Sequence, residues 1–196
     1  MLDVSFPLKG KMLPRDHAEA LLAALCAHFS WLRSDTGTGI HAIKLVHGFD
    51  EPALLSQRTR LTLRVLAERA AELQALGNFA LDIAGHALQL GPAQARELLQ
   101  HGTLYAYKVA AESADEVAFM ACIASELAAL DTTGVHICGK RQQMQIAGQT
   151  QQTFSLMLHG LSPAQSLRVQ EHGLGPHRLL GCGIFVPHRS ATAVGS

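Results

Sequence analysis

Apolar and polar positions alternate in a way that predicts a first half with the order strand, helix, strand, strand, helix, strand. Residues 2–8 alternate as in a half-buried strand. Asp16 is the predicted N-cap of the helix that follows, and the turn at 37–39 is its predicted end. The apolar stripe of this helix consists of Leu21, Leu22, Leu25, Phe29 and Leu32. The remaining predicted segments are strands at 40–46 and 58–65, a helix at 67–76 stopped by Gly77, and strand residues at 79–90 interrupted by Gly85.

The second half repeats this order of elements. Its predicted segments are a strand at 104–110, a helix at 115–130, strands at 135–138 and 153–159, a helix at 163–172 and a strand at 180–187. The order βαββαβ is the ferredoxin-like, RRM-like arrangement with an antiparallel sheet. We therefore expect an α+β protein with two such domains in tandem, at 1–91 and 103–196. The predicted linker between them, 91–102, begins with the clearest turn signal, Gly91-Pro92.

The composition is that of a globular protein. With 196 residues, 48% of them apolar and 16% charged, the chain can bury a sizeable core in one or two small domains. No stretch approaches the roughly 20 apolar residues that a membrane span requires, and the first residues do not resemble a secretory leader. We therefore expect a cytoplasmic protein that makes no membrane contact.

The four cysteines stand far apart, and none forms a CxxC pair. We expect reduced, buried thiols, because neither a disulfide framework nor a zinc site has such spacing. The chain also has no clustered set of carboxylates of the kind that holds Mg²⁺ in two-metal nucleases. We therefore expect neither a metal nor a small-molecule cofactor.

Charge is balanced overall but not locally. Sixteen basic residues stand against sixteen acidic ones, which is unlike a general nucleic-acid binder with its basic surplus. Between 140 and 189, however, the only acid is Glu171. The basic residues of this segment are Lys140, Arg141, Arg168, Arg178 and Arg189. The C-terminal quarter is therefore the predicted location of an anionic partner.

A glycine-rich segment lies within this basic quarter. Residues 173–187 read Gly-Leu-Gly-Pro-His-Arg-Leu-Leu-Gly-Cys-Gly-Ile-Phe-Val-Pro. Glycine permits positive φ and close approach of the backbone, so such a segment can direct N–H groups at phosphates. A predicted helix precedes it and a predicted strand follows, which is the reverse of the order around nucleotide-binding loops. The segment is therefore predicted to contact an anion, and a nucleotide cofactor is disfavoured.

Together with three N-terminal segments, this motif resembles the CRISPR repeat-processing endoribonucleases, the sixth Cas family of the RAMP superfamily. The N-terminal segments are Val-Ser-Phe-Pro-Leu-Lys-Gly at 4–10, Leu-Pro-Arg-Asp-His at 13–17 and Gly-Ile-His at 39–41. The resemblance spans nearly the whole chain, and the C-terminal motif is its most specific part. It implies a role in antiviral defence and the tandem ferredoxin-like fold.

The resemblance also implies a reaction. Pre-crRNA is cut within the repeat without a metal ion, because the 2'-hydroxyl attacks the adjacent phosphorus and leaves a 2',3'-cyclic phosphate and a 5'-hydroxyl. The protein then remains bound to its product. The expected partners are CRISPR repeat RNA, as a hairpin with a flanking strand, and other subunits of an RNA-guided effector complex.

In this family the glycine-rich loop contacts the RNA. The residues carried over as RNA-binding are Gly173, Gly175, His177, Arg178, Gly181 and Gly183. The Arg178 guanidinium is expected to bridge phosphates or to stack on a base, which a lysine side chain does not reproduce.

Two other basic segments are candidate RNA contacts. Arg58, Arg60 and Arg64 share one parity in the predicted strand 58–65, which gives either a solvated sheet face or a track for the RNA backbone. Lys140 and Arg141 open a glutamine-rich stretch, 140–152, which is either a mobile hairpin loop or a loop that orders on RNA.

Tyr105 and Tyr107 also share one parity on a predicted strand. An RRM-type stacking platform requires two or three aromatic residues on a central strand, and aromatic residues are only 5% of this chain. We therefore interpret the two tyrosines as half-buried sheet residues.

Histidine suits the acid–base role in this reaction because its pKa lies near neutrality, and lysine or arginine suits stabilisation of the phosphorane. His41 is the first candidate, since it follows the turn at 37–39, with Lys44 three residues on. In a regular strand, residues three apart face opposite sides, so Lys44 joins His41 only if the strand begins later or bulges.

Two further histidines are catalytic candidates. His17 resembles a recurrent family histidine at the start of the first helix, although it could simply organise that helix end. His28 lies on the last turns of the same helix, where it could instead be solvent-facing and interact with the helix C-terminus.

One departure from the family keeps a non-catalytic role open. Some relatives place a histidine directly after the aromatic-Leu pair that ends the first helix, whereas this chain has Arg33 after Trp31 and Leu32. The alternative function is an RNA-binding scaffold subunit of an effector complex, since fold alone does not separate scaffold from enzyme. A third hypothesis, a ferredoxin-like metabolic enzyme, requires a concave pocket with paired titratable groups, and the sequence does not point to one.

Overall fold

The computed structural model describes residues 1–46, 48, 51–75 and 78–189. The chain forms two compact units, and the boundary between them falls between Glu97 and Leu98. The elements of the first unit are β1 (Leu2–Lys9), β2 (Met12–Leu13), α1 (Ala18–His28), β3 (Gly39–Ile40), β4 (Ala53–Leu54), β5 (Arg60–Val65), α2 (Ala67–Ala75), β6 (Phe79–Ile83), β7 (His86–Leu90) and β8 (Gln94–Glu97). A short 3₁₀ helix, Ser30–Arg33, follows α1.

The main sheet of the first unit is antiparallel, with the order β3-β5-β1-β7-β6, while β2 and β4 pair separately. In the ferredoxin-like fold the first strand of the βαββαβ unit lies between its third and fourth strands, and here β1 lies between β5 and β7 in the same way. The alternation predicted for β1 is confirmed, since Val4, Phe6 and Leu8 are buried. All five residues of the predicted helix stripe are buried as well.

Local details of the first unit differ from the sequence prediction. The N-cap position of α1 is occupied by His17 rather than Asp16, and no side chain caps this end. Strand assignment in the predicted segment 40–46 stops after β3; beyond it, His41 N donates to Thr62 O at 2.9 Å and Val46 N donates to Leu54 O at 3.2 Å. The predicted helix stop at Gly77 lies outside the described residues.

The predicted linker at 91–102 is wrong for its first part, because β8 belongs to the sheet of the first unit. Both β7 and β8 pair antiparallel with β1, and the register shifts by one residue between Leu8↔Leu90 and Ser5↔Gln94. Pro92 lacks a backbone N–H, so the ladder is interrupted there and then resumes. Gly91-Pro92 therefore marks a kink in a strand and not a domain boundary.

The second unit has the same topology. Its elements are β9 (Thr103–Ala111), α3 (Glu116–Ala129), β10 (Val135–Ile146), β11 (Gln149–His159), α4 (Pro163–His172), a 3₁₀ helix (Arg178–Leu180) and β12 (Val186–Pro187). The antiparallel sheet has the order β10-β11-β9-β12. Both helices pack on one face of it, over a core that includes Leu104, Phe119, Phe154, Val169 and Phe185.

The two helices of the second unit begin where the sequence predicts. The Asp115 carboxylate accepts hydrogen bonds from the N–H groups of Val117 and Ala118 at the start of α3. Ser162 and Gln165 form a capping box before α4, with each side chain accepting from the other residue's backbone N–H. Such caps satisfy N–H groups that lack a partner within the helix.

The glutamine-rich stretch 140–152 is not the loop that the sequence suggested. Here β10 and β11 continue as a paired hairpin and turn at Ala147-Gly148, with φ of 50° and 74°. Two residues with positive φ give a tight turn whose twist matches that of the flanking strands. Both strands are polar in this region, so the periodicity expected of a half-buried strand is missing from the sequence.

The predicted last strand, 180–187, is also wrong over most of its length. Only Val186–Pro187 pairs as a strand, with Tyr105 and Leu104 of β9. The preceding residues include Gly181 and Gly183, with φ of 86° and 66°, values that interrupt an extended chain. The glycine-rich segment therefore folds as a compact loop and not as a turn followed by a strand.

Candidate functional site

The glycine-rich loop packs against its own backbone. A Cβ on Gly173 would stand 2.5 Å from the carbonyl oxygen of Gly183, and a Cβ on Gly183 would overlap the carbonyl of Leu174. Both residues have positive φ, 70° and 66°. Glycine is therefore required at these two positions by the fold of the loop itself.

The N–H groups of the four glycines in this loop are bonded within the protein and do not point outwards to an anion. Gly173 N donates to Val169 O at 2.8 Å, and Gly183 N donates to Lys108 O at 2.8 Å. Gly181 N donates to Arg178 O at 3.2 Å. Gly175 N donates to the Glu126 carboxylate at 2.7 Å, so a carboxylate of the chain takes the place expected for a phosphate. In this conformation the N–H groups of these four glycines would therefore not contact RNA.

The two basic side chains of the loop are held close to it. His177 has left-handed backbone angles, φ 69° and ψ 35°, and its carbonyl oxygen accepts from Leu180 N at 2.9 Å and Cys182 N at 3.2 Å. The guanidinium of Arg178 lies over Gly173, because its Nη1 is 2.6 Å from where a Cβ of residue 173 would stand. Both side chains are half-buried. Their role in RNA binding stays a prediction.

A second site forms around His41 in the first unit. Its Nε2 lies 3.3 Å from Asp3 Oδ1 on β1. The same carboxylate accepts two hydrogen bonds from Arg64 of β5, from Nε at 2.7 Å and from Nη2 at 2.9 Å. The register of the sheet explains the contact, because Asp3 pairs with Arg64, and Arg64 pairs with Gly39 two residues before His41. Three strands thus bring His41, Asp3 and Arg64 together.

The electrostatics fix the charge of this cluster. The Arg64 side chain is fully buried, while those of His41 and Asp3 are 18% and 23% exposed. Burial acts to raise the pKa of Asp3, but hydrogen bonds from Arg64 and His41 outweigh it and hold that pKa well below its usual range. Asp3 is therefore a carboxylate at neutral pH. The buried Arg64 guanidinium fixes the position of the Asp3 carboxylate, and this carboxylate in turn orients the His41 imidazole.

The other catalytic candidates lie in different surroundings. His17 is buried at the start of α1, with Nδ1 2.7 Å from the carbonyl oxygen of Pro14. His28 is exposed, and its ring centroid lies 5.2 Å from that of Phe79. Lys44 is exposed and lies in a segment that is not a strand, so strand parity does not separate it from His41.

The basic candidates divide by exposure. Arg60 is exposed at the start of β5, and Arg58 is exposed just before it. Lys140 and Arg141 are exposed at a register shift in β10. The prediction that Arg64 shares an open face with Arg58 and Arg60 is wrong, since Arg64 is buried against Asp3. Sequence reasoning missed Asp3. The sequence did contain a signal, because Asp3 and Arg64 both stand at polar positions that alternate with apolar residues in two predicted strands.

Among the described residues, no group of three or more His, Cys, Asp or Glu side chains is arranged to hold a metal ion. The four cysteines are free thiols, but Cys122 is exposed, which corrects the prediction that all are buried. Burial raises the pKa of the Cys182 thiol to about 11. Within the described part of the chain, no helix is both long and apolar enough to cross a membrane.

Two ferredoxin-like units in succession, the second ending in a glycine-rich loop, define the chain as a protein of the tandem ferredoxin-like class. The family model Cas6, described as Cas6 Crispr, matches residues 2–190. The CRISPR-associated endonuclease Cas6 of Myxococcus xanthus DK1622 is 37% identical over 196 residues, which cover 100% of this chain and 85% of that protein. This chain belongs to the Cas6 family of CRISPR-associated endoribonucleases. The expected family and enzyme class are thereby confirmed.

Solved structures share the fold at low sequence identity. A CRISPR-associated protein Cas6 superposes with a TM-score of 0.69 at 10% identity, over 96% of this chain and 99% of that one. A Cas6-related protein of Pyrococcus furiosus gives 0.64 at 9% identity, over 94% and 97%. The Cse3 protein of Thermus thermophilus, solved with an RNA that represents a pre-cleavage complex, gives 0.52 at 14% identity, over 94% and 97%. The tandem ferredoxin-like fold is therefore confirmed.

Proposed function

We propose that this chain cuts CRISPR repeat RNA once per repeat without a metal ion and remains bound to the product. Membership of the Cas6 family supports the substrate class, as does the RNA bound to the Cse3 structure. The reaction takes place in the cytoplasm, where the repeat transcript is made. The protein with its bound product then joins other subunits of an effector complex.

The observation that carries the mechanism is the contact of His41 with Asp3. Cleavage forms a bond from the 2'-oxygen to phosphorus, breaks the bond from phosphorus to the 5'-oxygen, and moves two protons. His41 accepts the proton of the 2'-hydroxyl, and the departing 5'-oxygen takes up a proton from solvent. The Asp3 carboxylate stabilises the imidazolium that forms and holds the ring in one orientation.

The developing charge on the phosphorane requires a cation. Lys44 is the candidate closest to His41 along the chain, and it is an exposed residue. His17 and His28 remain secondary candidates for the proton transfer.

RNA affinity is assigned to exposed cations and to the glycine-rich loop. Arg58, Arg60, Lys140 and Arg141 can reach phosphates without any rearrangement, because all four are exposed. In the loop, His177 and Arg178 supply the contacts while the glycines shape the backbone that presents them.

Cleavage of labelled repeat RNA in EDTA tests the proposal. A matched RNA with a single 2'-deoxy nucleotide at the cut removes the nucleophile and leaves the rest of the substrate unchanged. We expect the normal RNA to be cut to a product ending in a 2',3'-cyclic phosphate and the deoxy RNA to stay intact. Tight binding without cleavage of the normal RNA would favour the scaffold function, and cleavage of the deoxy RNA would exclude the 2'-hydroxyl mechanism.

A further inference from the structure

The sheet of the second unit has an open face that the mechanism does not use. On β9, Leu104 and Ala106 point into the core, so Tyr105 lies on the opposite face. The register places Ile137, Met157, Tyr105 and Val186 in one row across all four strands. We call these four residues with Tyr107 and His188 the tyrosine face.

Aromatic rings are concentrated at the centre of this face. The rings of Tyr105 and Tyr107 lie 5.0 Å apart and almost perpendicular, and the ring of His188 lies 5.5 Å from that of Tyr105. Tyr107 is 48% exposed and Ile137 is 51% exposed, so large apolar surface remains accessible. The sequence prediction that both tyrosines are half-buried is therefore right for Tyr105 and wrong for Tyr107.

The position of Tyr107 is fixed by a β-bulge. Between the pairs Phe154↔Val109 and Leu156↔Ala106, the register shifts so that Tyr107 and Lys108 oppose one residue of β11. The Gln142 side chain donates to the Tyr107 carbonyl oxygen at 2.9 Å. Bulges re-aim side chains, and this one holds an exposed ring on a rigid strand.

The charge of the sheet indicates which partner fits. Strands β9, β10, β11 and β12 contain no Asp or Glu, whereas they contain Lys108, Lys140 and Arg141. The acids of this unit, such as Glu116 and Glu126, lie on the helical side or in loops. A sheet that has exposed aromatic rings, a lysine next to Tyr107 in the chain and no acids in its strands suits an unpaired nucleic-acid strand, because bases stack on the rings while cations meet phosphates. A protein partner has no comparable requirement that acids be absent.

We propose that the tyrosine face binds unpaired bases of the repeat RNA, with one base stacked on the Tyr107 ring. The perpendicular Tyr105 ring meets the edge of that base, and Ile137 and Met157 contact its neighbour. This inference rests on the proposed function only for the identity of the RNA. Stacking recognises any base, so the face holds a flanking single strand without reading its sequence.

The test uses a labelled oligoadenosine of about 12 nucleotides, which has no hairpin and no cleavage site for the enzyme to recognise. Tyr107→Ala should weaken its binding to the full chain about tenfold in fluorescence anisotropy, whereas Tyr107→Phe keeps the ring and should stay within about twofold. Val117→Ala is the matched surface control, because Val117 is 80% exposed on α3, away from this sheet. Photocrosslinking with 5-iodouridine RNA should map to the peptide that contains Tyr107.

Equal affinities of the wild type and Tyr107→Ala would overturn the inference. A change in the self-association of Tyr107→Ala in sedimentation, with no change in RNA affinity, would also overturn the inference, because the face would then be a protein contact. Binding of oligoadenosine requires no cleavage. If the wild type fails to cut repeat RNA, and Tyr107→Ala binds oligoadenosine more weakly than the wild type does, the proposed function is refuted and this face is supported.

Discussion

Replacement of Asp3 by asparagine removes one charge at the His41 site with almost no change of shape. Arg64 is fully buried, and its guanidinium donates two hydrogen bonds to the Asp3 carboxylate. Leaving a buried charge without its partner costs about 3–5 kcal/mol. Because Asp3 is 23% exposed and the asparagine oxygen still accepts one bond, we expect the lower end, about 3 kcal/mol of unfolding free energy. Urea denaturation measures this loss.

The pH dependence of that loss is a second readout. The pKa of Asp3 is lowered in the folded protein, so its contribution to stability is fully present above the unfolded value of about 3.9 and is lost as the pH falls below it. Asparagine does not titrate. The stabilisation that depends on the Asp3 charge should therefore shrink below about pH 4, and with it the difference in stability between wild type and Asp3→Asn.

The same variant tests the positioning of His41. We expect single-turnover cleavage about 10²-fold slower, with RNA affinity unchanged, because the imidazole is no longer held in one orientation. Glu97→Gln is the matched control, since Glu97 is an exposed acid on β8, the strand that pairs with β1, and its loss should change stability by less than about 0.5 kcal/mol. A stability loss for Asp3→Asn no larger than the control's, or an unchanged cleavage rate, would refute this account of the site.

Three other substitutions probe the remaining assignments. His41→Ala should lower the cleavage rate by about 10² to 10⁴ with nearly unchanged RNA affinity. An equal loss for His28→Ala would contradict the assignment of the proton transfer to His41. Gly183→Ala should destabilise the second unit in thermal unfolding by more than the roughly 1–2 kcal/mol expected for Gly148→Ala, since both glycines have positive φ but only Gly183 faces the backbone of its own loop. Equal losses would show that the close approach is unimportant. Arg178→Ala should reduce the slope of log K against log salt by about one, and an unchanged slope would remove Arg178 from the phosphate contacts.

The sequence predicted elements wherever a segment is half-buried along its length. Strand β1 alternates in sequence because one face covers the core, and α4 follows the capping pattern of Ser162 and Gln165. The outer part of the hairpin formed by β10 and β11 was missed because its residues are mostly polar, although Met144 there is buried. A strand with so little buried surface shows little periodicity.

The family, the fold and the catalytic histidine candidates were accessible because they depend on local spacing and on motifs. The distribution of charges was not, since it depends on which strands pair. Arg64 looks like Arg58 and Arg60 in the sequence, yet pairing with Asp3 across 61 positions buries it. The same distinction applies to the glycine-rich loop, whose composition predicted outward N–H groups while the fold directs them at Val169, Glu126 and Lys108.

The sequence by itself determined the order of elements, the two ferredoxin-like units and the Cas6 family, because local periodicity and a contiguous motif carry that information. Only the tertiary structure decided that Asp3 and Arg64 hold His41 and that Tyr107 stands exposed on an acid-free sheet. Strand register and bulges set those contacts. They are fixed by the simultaneous packing of segments far apart in the chain, which no local pattern encodes.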